Sequence, residues 1–256
     1  MPPDTPVLWH LEISHYNEKV RWALDYKGVR HARRAVTPGL QEFRARRLRA
    51  GRTVPILQLH GRTIGDSTRN IEEIERRWPD PPLYPSDSEE RRLALELEDY
   101  FDEDCGHDLR RVLFNDNLAE PEKFLGMFSG ADHPRLGLLK ALSPVLAPVV
   151  KWRYEIRPER VAHSREVVGA ALRKVEAEAG PRGYLVGDSF TVADLTAASI
   201  LALIVVPPEF PYVKLHPDER AAQFREFRAS LKDRLGFKWV EDMYARHRGT
   251  SAEVAA

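Results

Sequence analysis

The spacing of apolar residues changes repeatedly along the first 80 residues of the chain. Short apolar runs with strand character alternate with segments in which apolar residues recur every three or four positions, as on one face of a helix. Strands are predicted at residues 7–12, 32–36, 55–59 and 63–64, and helices at residues 16–26, 38–50 and 67–78. Gly28 and Gly51 end the first two helices, and Gly61 supplies the turn between the last two strands. This order predicts a sheet covered by helices.

Beyond the proline-rich residues 79–85 the periodicity is helical throughout. One long helix is predicted by apolar residues three or four positions apart, namely Leu93, Leu97, Phe101, Cys105, Leu109 and Val112. Further helices are predicted at residues 164–179, 191–205 and 220–246. We therefore predict an α/β plus all-α protein, with an α/β domain at residues 1–80, a linker at 81–86 and an all-helical domain at 87–256.

The composition of the 256 residues, 43% hydrophobic and 30% charged, is that of an ordinary soluble globular protein. No run of about eighteen apolar residues predicts a membrane span, and the N-terminus does not resemble a secretory signal. The single cysteine, Cys105, excludes an intramolecular disulfide framework and a cysteine-rich metal site. We expect Cys105 to be a small buried side chain and the protein to be cytoplasmic.

Charge is unevenly spread over a chain whose formal net charge is +0. Residues 1–85 hold 15 Lys and Arg against 10 Asp and Glu, which suits a small anionic ligand, nucleic acid, or neither. The arginines between residues 44 and 52 predict a solvated helix face, and only Phe43 is an aromatic neighbour, so we do not expect nucleic-acid binding. An acidic set on the long helix predicts a solvent face opposite the apolar stripe rather than a metal site: Glu96, Asp99, Asp102, Glu103, Asp104 and His107.

Three short motifs in the first part carry possible chemistry. Ser14 falls between the first strand and the first helix, where free N–H groups and the helix dipole favour negative charge. Its hydroxyl either caps the helix or donates a hydrogen bond to a bound thiolate, which would lower the pKa of the thiol. Thr53-Val54-Pro55 opens a strand, and a cis Val54–Pro55 peptide would turn the Val54 backbone outward to pair with another extended chain. The alternative is a trans proline that simply starts an edge strand.

The third motif, Asp66-Ser67, begins a helix with Ser67 as the expected N-cap. A ligand carboxylate would be well placed on the N–H groups of this helix start, and the Asp66 carboxylate could bind an ammonium group beside it. An amino-acid end carries both of these charges. Simple capping is the alternative.

Together these motifs resemble the soluble glutathione S-transferase family, in particular its serine-type, bacterial-like members. Ser14-His15-Tyr16-Asn17-Glu18-Lys19-Val20-Arg21 is similar to the family's first-helix motif, with Ser14 at the catalytic position. Thr53-Val54-Pro55-Ile56 resembles the segment that pairs with the cysteinyl part of glutathione, and Gly65-Asp66-Ser67 resembles the motif that holds the γ-glutamyl end. Residues 187–194 resemble the family's capping box, in which Thr191 caps and Asp194 reaches back.

The resemblance implies a thioredoxin-like domain, a helical domain lining the electrophile site, glutathione as co-substrate without a metal, a detoxification role and a homodimer. It implies thiol contact by Ser14, or by Asn17 as the second choice, and leaves Arg52 or a neighbouring arginine to bind the glycine carboxylate. His15 and Asn17 depart from the usual motif, so a non-catalytic binding or assembly protein stays open, as does an enzyme for another low-molecular-weight thiol. Residues 121–160 match least and are interpreted either as extra helices covering the second domain or as a wall for an apolar substrate.

Overall fold

A four-stranded mixed sheet forms the first part of the computed structural model, which describes residues 5–130 and 141–254. The strand order is β2-β1-β3-β4, with β1 parallel to β2 and antiparallel to β3, and β3 antiparallel to β4. The elements are β1 (Val7–His10), α1 (His15–Tyr26), β2 (Ala32–Ala35), α2 (Gln41–Arg47), β3 (Ile56–Leu59), β4 (Arg62–Gly65) and α3 (Ser67–Arg77). The predicted order of strands and helices is confirmed.

The two faces of the sheet bury different residues because successive strand side chains point in opposite directions. Leu8 and its partner Leu57 join the main core with α1 and α3, while Trp9 and its partner Ile56 join a smaller cluster under α2. Helix α2 is shorter than the predicted 38–50 and buries only Ala45. The sequence of α2 is mostly polar, so this helix offers little apolar surface to pack against the sheet.

The helical part contains eight α-helices among the described residues. The segment before it, at Leu83, is hydrogen-bonded to both the sheet domain and the helical domain. The Leu83 N–H donates to the Glu75 carboxylate at 3.2 Å, and the Leu83 carbonyl accepts from the Val192 N–H at 2.8 Å. The helices are α4 (Ser88–Asp99), α5 (Gly106–Leu118), α6 (Pro121–Ser129), α7 (Ser143–Arg153), α8 (Pro158–Glu178), α9 (Val192–Val205), α10 (Ala222–Leu231) and α11 (Leu235–His247). Helix α9 is buried along its whole length and packs against α1, α4 and α11, so it is the centre of this domain.

The long predicted helix is one helical run with a π-helical turn, Tyr100–Cys105, between α4 and α5. Its predicted stripe has four steps of four residues in succession, and such a stripe drifts around an α-helix of 3.6 residues per turn. The wider π-helical turn absorbs the extra residue, and from Leu97 to Val112 the stripe is buried. Leu93 is the exception, being 39% exposed. Cys105 is buried, as predicted.

Residues 121–160 divide into parts with different surroundings, and residues 131–140 lie outside the described residues. Helix α6 packs its aromatic side chains into the core, where Phe124 and Phe128 contact Phe114. Helix α7 buries none of its residues fully and exposes an apolar stripe that consists of Leu142, Val145, Leu146, Val149 and Trp152. Within residues 5–130 and 141–254, no helix combines the length and apolarity needed to cross a bilayer.

Candidate functional site

Ser14 lies at the end of the loop that joins β1 to α1 and is the N-cap residue of α1. The residue is half-buried. Its backbone is extended, its carbonyl accepts the first helical N–H from Glu18 at 2.9 Å, and its side chain makes no capping hydrogen bond. The Ser14 hydroxyl therefore does not cap α1, which was one of the two roles predicted for it from the sequence. The hydroxyl is available to donate to a ligand next to the positive end of α1.

A fully buried arginine of the same helix fixes the loop that carries Ser14. The Arg21 guanidinium donates to the carbonyls of Leu11, Glu12 and Ser14 at 3.0–3.4 Å. Its Nε also donates to Glu18 at 2.8 Å, and the other Glu18 oxygen accepts from Arg248 at 2.6 Å. The Arg21 guanidinium binds three loop carbonyls and is itself held by the Glu18 carboxylate. Arg21 therefore fixes the position of the loop that carries Ser14.

Asn17 is also fully buried and connects this loop to the Val54–Pro55 peptide. Its Oδ1 accepts from the Leu11 N–H at 3.2 Å, and its Nδ2 donates to the Val54 carbonyl at 3.4 Å. The Val54–Pro55 peptide bond is cis, and Val54 and Pro55 are buried at the start of β3, whereas Thr53 is exposed. Ser14 and the Val54 segment are thus brought to the same end of the sheet, with Asn17 between them.

The Asp66-Ser67 motif begins α3, but with a different cap from the one predicted. Asp66, not Ser67, is the N-cap, since its carboxylate accepts from the Arg69 N–H at 3.1 Å while Ser67 is the first helical residue. The shift by one residue leaves Asp66 exposed at a positive φ of 76° and Ser67 buried. The carboxylate of Asp66 therefore combines a capping role with access to solvent.

Behind α1 a lysine connects the two domains through buried charges that the sequence patterns missed. The Lys19 ammonium lies 2.8 Å from a Glu98 oxygen and 3.1 Å from an Asp102 oxygen, and donates to the Thr68 hydroxyl at 3.0 Å. Burial alone would lower the pKa of Lys19, but the two carboxylates raise it above its usual value. Thr68 lies on α3 and the carboxylates lie on α4 and the π-helical turn, so one ammonium group holds three segments together.

The prediction that the acidic residues of the long helix all face solvent is wrong for Asp102, which is buried in this cluster. Glu96, Asp99, Glu103, Asp104 and His107 do face solvent. No group of three or more potential metal ligands occurs among residues 5–130 and 141–254.

Arg52 lies on the surface of the sheet domain beside α2. Its side chain is 73% exposed and pairs with Glu42 at 3.0 Å, and Arg46 binds the same carboxylate at 2.7 Å. Arg44 instead stacks on the Trp9 ring at 4.4 Å. The arginine set thus forms a largely solvated face, as predicted.

A narrow cavity of about 30 Å³ lies between the Ser14 loop and the helical domain. Leu11, Glu12 and Ile13 line one side, and Met127 and Phe128 of α6 line the other. The Lys214 ammonium bridges the cavity to Glu12 at 3.3 Å. Helix α6 therefore forms a wall beside the Ser14 loop.

The sheet order, the buried central helix and the Ser14 loop define the class of this protein as a thioredoxin-like domain followed by a helical domain. The sequence model described as "Glutathione S-transferase, N-terminal domain" matches residues 8–82, and the one described as "Glutathione S-transferase, C-terminal domain" matches residues 158–232. The two matches together cover more than half of the chain, in the order of the two structural parts. The chain belongs to the glutathione S-transferase family. No curated protein matches it in sequence.

Solved structures show the same fold at low sequence identity. A glutathione S-transferase from Rhodospirillum rubrum F11 is 22% identical, with 92% of this chain and 91% of that chain covered and a TM-score of 0.56. The glutathione transferase GSTFuA3 from Phanerochaete chrysosporium is 18% identical, with 97% and 99% covered and a TM-score of 0.62. A glutathione S-transferase from Methylobacterium radiotolerans, solved in complex with glutathione sulfonate, is 21% identical, with 91% and 93% covered and a TM-score of 0.50. These likenesses extend over nearly the whole chain and establish the fold.

Proposed function

We propose that this protein is a serine-type glutathione S-transferase that binds glutathione and conjugates it, through its thiolate, to a small, mainly apolar electrophile. The observation that carries the proposal is the uncapped Ser14 hydroxyl at the start of α1, on a loop held by Arg21. Donation from Ser14 to the glutathione thiolate lowers the thiol pKa, so more of the nucleophile is present at neutral pH. The sulfur then forms a bond to the electrophilic carbon, and the leaving group departs with its electron pair.

The remaining contacts follow from the positions of the other two motifs. The Val54 backbone and its neighbours Thr53 and Pro55 pair with the cysteinyl part of the tripeptide. The exposed Asp66 carboxylate takes the γ-glutamyl ammonium group, and the start of α3 at Ser67 takes the γ-glutamyl carboxylate. Arg52 binds the glycine carboxylate in place of Glu42. We assign the thiol contact to Ser14 rather than Asn17, because both polar atoms of the Asn17 amide already bind backbone groups.

The test is the replacement Ser14→Ala, with Ser14→Thr as the conservative variant. Loss of one donor to a developing charge lowers kcat by roughly 10²-fold at neutral pH in other enzymes, and we expect a loss of that order here. The pH at which the rate is half-maximal should rise, while Ser14→Thr should retain part of the rate. Ser230→Ala, an exposed serine of α10, is the matched control. Unchanged rate and unchanged pH profile in Ser14→Ala would refute the assignment.

A non-catalytic binding or assembly role is the second candidate, because His15 and Asn17 depart from the family's usual first-helix motif and a fold does not by itself fix a function. Titration of the intrinsic tryptophan fluorescence with glutathione separates the candidates. Binding accompanied by turnover supports the enzyme, and binding without turnover of several electrophiles supports the second role. If glutathione does not bind at millimolar concentration, the glutathione transferase proposal is removed. The non-catalytic role and an enzyme for another low-molecular-weight thiol then remain. A homodimer and a cytoplasmic location belong to the proposal as family expectations.

A further inference from the structure

The first turn of α5 lies directly against the start of α1, next to Ser14. The Tyr16 hydroxyl donates to the Asp102 carbonyl at 3.0 Å, and the Tyr16 ring lies 4.1 Å from the His15 ring and 6.1 Å from the His107 ring. A Cβ atom on Gly106 would lie only 2.3 Å from the Tyr16 hydroxyl. The glycine therefore permits a close approach of the two helices, and this face of α5 borders the proposed site.

Arg110 lies one turn further along the same face of α5. Residues four apart share a helix face, and helical side chains lean toward the N-terminus, so the Arg110 side chain extends over the turn that carries Gly106 and His107. Its guanidinium is held 4.9 Å above the Tyr154 ring. The Nε atom is buried without a hydrogen-bond partner, whereas the two terminal nitrogens are not among the buried unpartnered atoms. Arg110 is thus mostly buried but partly exposed, with its guanidinium resting on the Tyr154 ring.

No carboxylate of the described residues forms an ion pair with Arg110, although acidic residues are near. Asp108 is bound by Arg111 and by the Ser164 hydroxyl, which donates to it at 2.6 Å. Asp102 is paired with Lys19. Burial, and then the Arg110 charge, lower the pKa values of His15 and His107, so both rings are neutral beside the guanidinium at neutral pH. The Arg110 guanidinium therefore has no carboxylate partner among the described residues.

We propose that Arg110 binds a carboxylate of the electrophilic substrate, so that the preferred substrates are anionic aryl electrophiles. A partly exposed guanidinium fork held on an aromatic ring suits a planar carboxylate, which it can bind through two parallel hydrogen bonds. The aromatic side chains of Phe114 and Tyr154, whose rings lie 4.8 Å apart, provide the adjoining apolar wall. This assignment rests on the proposed function, because it places the reacting carbon next to the thiolate at Ser14.

The test compares 4-chloro-3,5-dinitrobenzoate with its neutral carboxamide. In both reactions the glutathione sulfur forms a bond to the chlorine-bearing carbon, chloride leaves with the electron pair, and the carboxylate or amide is unchanged. Arg110→Gln should lower kcat/KM for the benzoate about 10- to 100-fold, as expected for a lost hydrogen bond to a charged group, and change that for the carboxamide less than about twofold. Arg110→Lys should recover part of the loss. Arg153→Gln is the matched control, because Arg153 lies 5.6 Å from the same Tyr154 ring but is exposed.

Equal losses for both electrophiles, or no loss, would overturn the assignment. A higher KM for glutathione with both electrophiles would also overturn it, since Arg110 would then bind a carboxylate of glutathione. Quenching of tryptophan fluorescence by 3,5-dinitrobenzoate, without glutathione, separates this inference from the proposed function. Weaker binding in Arg110→Gln of the benzoate but not of the carboxamide supports the site even if no conjugation occurs. If both compounds are conjugated rapidly and Arg110→Gln changes neither rate, the proposed function stands and the carboxylate site at Arg110 is refuted. Unchanged urea midpoints show that the variants are folded.

Discussion

Replacing Lys19 with methionine should destabilise the protein by removing the one cation from a buried pair of carboxylates. All three donors of the ammonium group are used, on Glu98, Asp102 and Thr68. Lys19 is fully buried and Glu98 is 1% exposed, so water cannot replace the lost contacts. Breaking a buried pair by removal of one partner costs about 3–5 kcal/mol in other proteins.

The magnitude for this site can be worked from the chemistry of Glu98. Burial raises the pKa of this carboxyl even with Lys19 beside it, so the simplest response to the loss of Lys19 is uptake of a proton. Starting from an ordinary glutamate, that protonation costs about 3.7 kcal/mol at pH 7 but only about 1.0 kcal/mol at pH 5. We therefore expect the Lys19→Met deficit to be about 3–5 kcal/mol at pH 7 and to shrink by roughly 2–3 kcal/mol at pH 5.

Urea unfolding at both pH values, followed by tryptophan fluorescence and circular dichroism, measures this difference. The two signals should change together, since Lys19 connects both domains. Lys174→Met is the matched control: Lys174 forms an exposed pair with Glu178 at 2.9 Å, for which a change of about 0.5 kcal/mol or less is expected. The double variant Lys19→Met/Glu98→Gln should recover much of the loss at pH 7. A Lys19→Met deficit below about 1 kcal/mol, or one independent of pH, would refute the reasoning.

Two further predictions concern stability. Burial, and then the charges of Arg21 and Arg33, lower the pKa of His10 to about 3, below that of the unfolded chain, so this histidine stabilises the protein above about pH 6.5 and the contribution is lost as the pH falls. His10→Gln should therefore lose about 2 kcal/mol less than the wild type between pH 7 and pH 5 in urea unfolding, and an identical pH dependence would contradict this. The Asp194 carboxylate accepts from the backbone N–H groups of Leu185 and Thr191, both at 2.8 Å. Asp194→Ala leaves these donors buried and should cost about 2–4 kcal/mol, against about 1 kcal/mol for Thr191→Ala; equal costs would show that the carboxylate adds nothing beyond the cap.

Local patterns predicted the parts of the fold that depend on neighbours in sequence. The sheet domain, the helical domain and the capping box at Thr191 and Asp194 all follow from alternation, helical spacing or a four-residue motif, and the structure confirms them. The π-helical turn could have been inferred from the four-residue steps of the apolar stripe between Leu93 and Leu109. The cap at Asp66 was misplaced because aspartate and serine are both good N-caps and stand side by side.

The charged residues of α1 show what spacing cannot reveal. Glu18, Lys19 and Arg21 point to different sides of the helix, and such a helix is normally interpreted as solvated. Here α1 packs against α3 and the helical domain and shares a core cluster with Leu8 of the sheet, so most of its residues are buried and each buried charge needs a partner. Those partners stand far away in sequence: Lys19 pairs with Glu98, and Glu18 pairs with Arg248. No periodicity within α1 contains that information.

The same contacts change how the first-helix motif is interpreted. In the sequence, residues 14–21 resemble the family's first-helix motif as one unit, whereas in the structure most of its polar side chains have structural partners. Asn17 joins the loop to Val54, Lys19 joins the two domains, and Arg21 holds the loop carbonyls. Ser14 differs from these three, because its side chain makes no capping bond and is half-exposed. A buried scaffold that fixes the backbone of one accessible hydroxyl is what a preorganised thiolate donor requires, since no side chain then has to move when charge develops on the sulfur.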